Sequence, residues 1–332
     1  MKKTFLCIMA IATLGCADQP QGSNYESWTA MPGYQLDSNL RSPIKFFPEI
    51  VSTSIDKFNT TFSPDGNTIY YSATSQKLGI TGIAYQKFDG NTFSQPEFVP
   101  FSSSDTPIAD VQISPDGNQL LFATFKHYEG KPEGFNFNLW SSSLKDGKWQ
   151  DPEPIGEPIA SSGNEFYPIM TKNGSLYFNS DRTGNSDIYF SRFENGSFQE
   201  PVPLPENINS ESREADAFIS QDESFIIFVR VDEPDGFGNS DLYISFNKGS
   251  NEWTDPINMG ENINSDQIDG SPYVTPDHNY LIFTTGRRTT DIQKRAMTNY
   301  SEFKSIQSSS ENGSLNFYIV QLDLAHYKNL AY

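Results

Sequence analysis

The chain has 332 residues and a formal net charge of −19, because 42 acidic residues outnumber 23 basic ones. This charge argues against nucleic acid as a partner, since phosphates must be neutralised by cationic side chains, and against adsorption to an anionic lipid surface. Aromatic residues make up 14 % of the sequence, which argues against a disordered acidic chain. Together with 21 Pro and 23 Gly, they favour many short strands joined by turns.

The first residues resemble a bacterial lipoprotein signal. Two lysines precede an apolar run from Phe5 to Leu14, which is too short to cross a bilayer but suits the h-region of a secretory signal. The run is followed by Gly15 and Cys16, and in lipoprotein signals such a Cys receives the lipid and becomes the first mature residue. We expect lipid attachment at Cys16, with ordinary secretion and cleavage near Ala17 as the alternative.

The sequence predicts four segments with different roles. Residues 1–15 form the signal peptide, residues 16–42 form a tether rich in Pro, Gly and Ser, residues 43–323 form the folded domain, and residues 324–332 form a tail. No disulfide and no thiolate metal site is expected, because one cysteine is removed with the signal and the other is acylated.

Five segments share one pattern: an apolar residue, a small hydroxyl residue, a turn and then an alternating strand. Proline pre-sets φ for a tight turn, and Asp-Gly or Asn-Gly tolerates the positive φ that follows. Successive turns are 49 to 57 residues apart in the sequence, a spacing typical of repeat arrays such as propellers. The five segments are 62–66, 113–117, 170–174, 219–223 and 274–278.

Each repeat predicts a sheet of four strands. A fourth strand is indicated by an aromatic residue followed by a proline, and proline is tolerated only at a sheet edge, so this strand is expected to be outermost. Four strands per repeat, arranged radially, predict an all-β propeller. The second strands are predicted at 68–72, 119–123, 175–179, 225–229 and 280–284, the third strands at 82–86, 138–142, 187–191, 241–245 and 316–320, and the aromatic residues are Phe93, Trp149, Phe198 and Trp253.

The two ends of the folded segment complement each other. The fifth repeat lacks a fourth strand after Val320, whereas Pro43–Val51, before the first repeat, resembles one. We predict that this amino-terminal strand completes the last blade and closes the ring, which removes exposed sheet edges. The predicted fold is a propeller of five blades, with six blades as the alternative.

The Ser-Pro-Asp-Gly turns, followed by Ile-Tyr-Tyr-Ser or Leu-Leu-Phe-Ala, resemble the Pro-Asp repeats of TolB-like, WD-repeat-like propeller lipoproteins. The segments 180–189 and 236–243 look like the later hairpin of the same family, and the resemblance covers about residues 43–323. It implies the propeller fold and a role in envelope binding or assembly at the outer membrane of a Gram-negative bacterium. A shared fold does not by itself fix the function.

Five residues before the apolar residue of the pattern, three of the five repeats carry an acidic residue, and the first two carry Lys57 and Ile108. Because first strands line the axial channel of a propeller, we expect Glu165, Glu214 and Asp269 to lie near one mouth. Clustered carboxylates repel unless a cation relieves them, so they are candidates to hold Ca²⁺ or to face a basic partner. Solvated loops with Arg213 as counter-charge are the alternative. The candidate ligand-binding residues are Glu165, Glu214, Asp216 and Asp269, and Asp110 holds the position of Asp216 in another repeat.

Two insertions interrupt the repeat, at residues 126–137 and 286–313, and loops beyond the needs of a scaffold often carry recognition. The second insertion is a basic island in an acidic protein, and we expect it to contact an acidic partner or a glycan. A solvated loop without a partner is the alternative. Its cations are Arg287, Arg288, Lys294, Arg295 and Lys304.

These observations favour a non-catalytic, monomeric lipoprotein that binds an envelope protein or polymer and touches the membrane only through its lipid. The three histidines lie in unrelated contexts, and no Ser-His-Asp arrangement, metal-ligand spacing or phosphate-binding glycine loop occurs. No cofactor is expected, with Ca²⁺ as the one candidate ion. The alternatives are a glycan-active enzyme that uses two channel carboxyls, one of them protonated, and a spacer without a ligand.

Lipid attachment can be tested by substituting the acceptor. Cys16→Ser is expected to abolish incorporation of a radiolabelled fatty acid during expression, because the thiol is the group that receives the lipid. Cys7→Ser is the matched control and should keep the full label of the parent, because Cys7 lies in the segment that is removed and Cys16 retains the lipid. Undiminished labelling of the Cys16 variant would show that the lipid is attached elsewhere or not by this signal.

Overall fold

The computed structural model describes residues 40–129, 136–288 and 299–332. Five of its sheets are each built on an antiparallel path of four strands and are the blades of a β-propeller, and a sixth sheet of two short strands is a hairpin tip. The all-β prediction with five blades is therefore confirmed, and the alternative of six blades is wrong. The predicted signal, lipid site and most of the tether lie outside the described residues.

The strands agree with the repeat pattern. The first strands are β2 (Asp56–Phe62), β6 (Ile108–Ile113), β11 (Glu165–Met170), β17 (Arg213–Ile219) and β22 (Asp269–Val274). The second strands are β3 (Thr68–Ser75), β7 (Gln119–Thr124), β12 (Leu176–Ser180), β18 (Phe225–Val231) and β23 (Tyr280–Thr285). The third strands are β4 (Ile80–Lys87), β8 (Asn138–Lys145), β13 (Asp187–Ser191), β19 (Ser240–Gly249) and β24 (Asn316–Gln321).

The fourth strands are short and follow the predicted prolines. They are β5 (Glu97–Phe98), β10 (Glu153–Pro154), β16 (Val202–Pro203), β21 (Ile257–Asn258) and, from the amino terminus, β1 (Ile44–Lys45). Four further two-residue strands form hairpin tips: β9 (Lys148–Trp149), β14 (Phe193–Glu194), β15 (Ser197–Phe198) and β20 (Glu252–Trp253). Three of the four aromatic residues before the prolines thus lie in these tips rather than in the fourth strands, and Phe93 forms an isolated bridge with Phe88. Trp149 packs edge-on against Tyr70 of the neighbouring blade, with ring centroids 6.2 Å apart.

The turn between first and second strands is closed by side chains. In the first blade the Ser63 hydroxyl lies 2.6 Å from Asp65 Oδ1, the Asn67 N–H donates to the same Asp65 oxygen, and the Thr68 N–H donates to the Ser63 hydroxyl. These bonds satisfy backbone groups that the ladder leaves open, which explains why a hydroxyl residue and an Asp or Asn recur two positions apart. The equivalent pairs are Ser114/Asp116, Thr171/Asn173, Ser220/Asp222 and Thr275/Asp277.

The five first strands pack side by side around one axis, with β22 of the last blade against β2 of the first. Closure comes from β1, which pairs antiparallel with β24 so that Ile44 lies opposite Ile319 and Lys45 opposite Tyr318. Beyond the pair, the Phe46 N–H donates to the Phe317 carbonyl at 2.8 Å. The predicted closure by the amino-terminal strand is confirmed.

Two short helices flank the ring. Helix α1 (Tyr300–Gln307) lies in the second insertion and begins after Asn299, whose side chain accepts from the Glu302 N–H. Helix α2 (Leu324–Ala331) forms the predicted tail and contacts β19 and β21, and the Tyr327 hydroxyl donates to the Met259 carbonyl at 3.0 Å. Among the described residues, neither helix has the length and apolar character needed to cross a bilayer.

Phe46 anchors the closing strand, because only 1 % of it is exposed and its ring meets Phe47, Phe62 and Phe93. Phe46→Ala is expected to lower the free energy of unfolding by about 3–5 kcal/mol through lost burial and a residual cavity. Urea denaturation followed by tryptophan fluorescence measures the change. Leu78→Ala is the control, since Leu78 is 69 % exposed and its loss should cost less than about 0.5 kcal/mol. Equal effects of both changes would contradict a closed ring held at Phe46.

Candidate functional site

Each first strand carries a bulge at the same position. There the register against the second strand shifts, and one non-glycine residue adopts a left-handed backbone with φ between 48° and 58°. A bulge re-aims a side chain, and a non-glycine residue in this region is strained unless its surroundings hold it. The five residues, which we call the axial group, are Asn59, Asp110, Tyr167, Asp216 and Ser271.

Contacts between blades bring the axial group together. Asp216 Oδ2 accepts hydrogen bonds from the N–H and the hydroxyl of Ser271 in the next blade, both at 3.0 Å. The Asp110 N–H donates to the Ser72 hydroxyl of the preceding blade at 3.0 Å. Ser271 therefore fixes the carboxylate of Asp216, and the backbone N–H of Tyr167 donates to the carboxyl of Asp110.

Burial governs the ionisation of the axial group. Burial, together with the charge of Asp216, raises the pKa of Asp110 to about 7. Burial also raises the pKa of Asp216, against the opposing effect of its hydrogen bonds from Ser271. The pKa of Tyr167 lies well above its usual value for the same main reason, burial. Near neutral pH one carboxyl of this pair is thus close to half protonated.

Two polar atoms of the axial group are buried with incomplete hydrogen bonding. The Tyr167 hydroxyl lies beside the side chains of Ser271 and Asn59, which oppose the rise of its pKa, yet neither this hydroxyl nor Asn59 Oδ1 makes a hydrogen bond of full geometry within the described part of the chain. The two residues are only 3 % and 5 % exposed. A buried polar atom without a full hydrogen bond costs about 1–3 kcal/mol.

A cavity of about 240 Å³ opens beside the two axial carboxyls. Phe166 supplies an apolar wall, and Arg213 is the one basic residue of the lining. Neither Asp110 nor Asp216 makes an ion pair within the described ranges. The lining consists of Asp110, Phe166, Asn179, Asp181, Ser186, Arg213, Ala215 and Asp216.

Glu165, Glu214 and Asp269 lie two residues before the axial group, and each is fully buried inside its own blade. Each pairs with an arginine that comes from the second strand or directly follows it. We call these pairs the arginine ties: Glu165–Arg182 at 3.4 Å, Glu214–Arg230 at 3.3 Å and Asp269–Arg287 at 3.3 Å.

The arginine ties repeat in detail through blades 3, 4 and 5. The carboxylates also accept from the hydroxyls of Ser161, Ser210 and Ser265. Each guanidinium lies 5.0 to 5.6 Å from the centroids of two rings, one on the second and one on the third strand. It also donates to a backbone carbonyl of the loop before the first strand, at Ile159, Ile208 or Ile263. These groups join the strands of one blade to its entry loop.

The predicted site residues therefore fall into three sets. Asp216 lies in the axial group beside Asp110. Glu165, Glu214 and Asp269 belong to arginine ties, and so does Arg287, which the sequence assigned to a partner loop. Arg288 is exposed, and Cys16, Lys294 and Arg295 lie outside the described residues. Binding of a ligand by any of them stays a prediction.

The described residues do not form a metal-binding centre. Within residues 40–129, 136–288 and 299–332, no group of three or more His, Cys, Asp or Glu side chains is arranged so that it could hold a metal ion. The arginine ties explain part of this result, because their carboxylates already have cationic partners. The axial group offers only two carboxyls.

No family model and no curated protein matches the sequence. Among solved structures, the catalytic domain of a GH62 α-L-arabinofuranosidase from Coprinopsis cinerea is similar, with 13 % identity over 86 % of this chain and 98 % of that chain and a TM-score of 0.51. A glycoside hydrolase is similar with 10 % identity over 91 % and 96 % of the two chains and a TM-score of 0.52. A putative TolB from Agrobacterium tumefaciens shows 16 % identity over 80 % and 74 %, with a TM-score of 0.44. At these identities the two matches with TM-scores above 0.5 show the fold alone and assign no activity to this chain.

The tie of blade 4 predicts a pH-dependent stability. Burial raises the pKa of Glu214 to about 7, above the ordinary 4.5 expected in the unfolded chain, so the folded state holds the proton more tightly. The free energy of unfolding therefore falls as pH rises from about 4.5 to about 7. Glu214→Gln should reduce this slope in urea titrations at several pH values, because the amide does not titrate. Glu211→Gln, an exposed change in the same loop, is the control and should keep the slope. Parallel pH profiles for parent and Glu214→Gln would contradict the assignment.

Proposed function

We propose that the protein is a lipid-anchored, non-catalytic binding propeller of the bacterial envelope, which receives a cationic group of a protein partner in the axial cavity. The observation that supports this proposal most is the position of Asp110 and Asp216. They come from blades 2 and 4, line one cavity and have no cationic partner among the described side chains.

The physical argument is the mutual repulsion of two buried carboxyls. Two carboxyls close together in a buried setting cannot both ionise freely, and a cation between them favours the charged forms. A lysine side chain suits the dimensions, because its ammonium can meet the carboxyls while its methylene stem lies on Phe166. The cavity volume of about 240 Å³ admits a side chain or a chain end rather than a folded surface.

The proposed location in the bacterial envelope is supported by the sequence alone. The lysine-led apolar run and Cys16 support lipid attachment, and the tether of residues 16–42 would hold the ring away from the membrane. The net charge of −19 adds a long-range attraction for basic partners, which raises the rate of association at low salt.

A glycan-active enzyme is the second candidate, and one observation favours it. Hydrolysis of a glycosidic bond needs one protonated and one ionised carboxyl, and a pKa of about 7 for Asp110 beside Asp216 meets that condition near neutral pH. The carboxyls that would serve are then the two axial ones rather than Glu165, Glu214 and Asp269, which the arginine ties enclose.

The binding proposal is tested with a capped trilysine peptide and calorimetry. Asp110→Asn and Asp216→Asn are each expected to weaken binding at least tenfold, because a charge-assisted contact to the ammonium is lost. Parent affinity should rise between pH 6 and pH 8, since Asp110 ionises near pH 7 and the cation binds the ionised form. Arg213→Gln is the matched control, and removal of its like charge should leave affinity unchanged or higher.

The same variants decide between the two candidates. The peptide in which all three lysines are acetylated should not bind the parent. Binding of the trilysine peptide without turnover of aryl glycosides or envelope polysaccharides would support the binding protein. Turnover that is lost in Asp110→Asn and Asp216→Asn, with no peptide binding, would replace it by the hydrolase. Equal peptide affinity in the parent and both variants would contradict the proposed site.

A further inference from the structure

Blade 2 keeps the layout of an arginine tie but lacks its carboxylate. Its second and third strands carry Phe122 and Trp140 as an opposed pair, where blade 3 has Phe178 and Tyr189. Its first strand, however, begins with Ile108, which is 4 % exposed, at the position of the tie carboxylate. Blade 2 thus keeps the aromatic frame of a tie and lacks its acid.

The cation of the tie is kept as lysine. Lys126 follows Thr124 by two residues, as Arg182 follows Ser180, and in both cases the backbone N–H lies 3.3 Å from that hydroxyl. The Lys126 ammonium lies 5.0 Å from the centroid of the Trp140 ring, the same distance as the Arg182 guanidinium from Tyr189. Lys126 makes no ion pair with any residue in the described part of the chain.

A small cavity lies at this place. Its volume is about 90 Å³, which corresponds to roughly three water molecules at ~30 Å³ each. Ser103 and Thr106 add hydroxyl groups to its wall. The lining consists of Phe101, Ser103, Thr106, Ile108, Phe122, Thr124, Lys126, Trp140 and Pro152.

A second, independent observation points to a missing acceptor. Trp140 is 3 % exposed, and its indole N–H is buried without a hydrogen-bond partner within residues 40–129, 136–288 and 299–332. An indole N–H only donates, so it requires an acceptor from outside. Among the described residues, a cation without an ion pair and an indole donor without an acceptor therefore meet at one cavity, at the place where three other blades hold a carboxylate.

We propose that blade 2 binds the carboxylate group of an external ligand in the place of the absent internal acid. The carboxylate oxygens accept from the Trp140 N–H and the Lys126 ammonium, and the space admits a carboxylate with a short aliphatic stem. The chemical class is that of acetate and of Asp or Glu side chains. This cavity shares no lining residue with the axial cavity, so the proposal stands apart from the axial binding function.

The test follows the Trp140 indole N–H resonance by NMR while acetate is added at constant ionic strength. The chain has four tryptophans, and Trp140→Phe identifies the signal. In the parent we expect a saturable shift of this signal. Lys126→Met keeps the stem and removes the charge at an exposed position, and it should weaken acetate binding about tenfold.

Ile108→Glu is the complementary variant, because it restores an internal acid at the tie position. It should move the Trp140 signal without ligand and prevent the acetate shift. If this variant does not fold, Lys126→Met and a chloride titration of the parent decide the matter alone. No saturable shift, an equal shift with chloride, or an unchanged acetate affinity in Lys126→Met would overturn the proposal.

Discussion

The pairing of β1 with β24 is the constraint on which the axial region depends. It joins the two ends of the folded chain, completes blade 5 and fixes β22 against β2. Without it, blade 5 would present an open edge, and edges of this kind pair with other chains. The hydrogen bonds between Ser271 and Asp216 require neighbouring blades at a set distance, and Asn59 joins them only because the ring is closed. The five residues of the axial group thus lie together only because the ring is closed.

Chemical variety at the axis rests on a constant backbone. The same left-handed bulge presents an amide, two carboxyls, a phenol and a hydroxyl at five equivalent places. The strain of these bulges is offset by packing between first strands, so substitution can alter the chemistry without altering the frame. The arginine ties vary much less, because blades 3, 4 and 5 each combine a carboxylate, an arginine, a Phe and a Tyr. The side chains at the axis therefore differ from blade to blade, whereas the side chains that hold each of these three blades together stay nearly the same.

Sequence reasoning located the strands within a few residues because the turns carry their own chemistry: Ser63, Asp65 and Gly66 specify where one strand ends and the next begins. It located closure because Pro43 recurs as Pro256. It assigned Arg287 to the basic insertion and did not reveal its ion pair with Asp269. Ser180-x-Arg182 and Thr285-x-Arg287 share a spacing that would have indicated this tie. It could not tell that Asp216 faces the cavity while Glu214 faces an arginine, since the bulge in this strand breaks the alternation from which the facing side is inferred.

The arginine ties occupy three consecutive blades, whereas Lys57 and Ile108 hold the equivalent places in blades 1 and 2. We therefore expect blades 3, 4 and 5 to be stiffer than blades 1 and 2. Thermal fluctuations should concentrate in blades 1 and 2, whose first strands lack the carboxylate of a tie. Such fluctuations would widen the ring on the side of blades 1 and 2 only. The axis of the ring would then tilt, and the two mouths of the channel would open by different amounts.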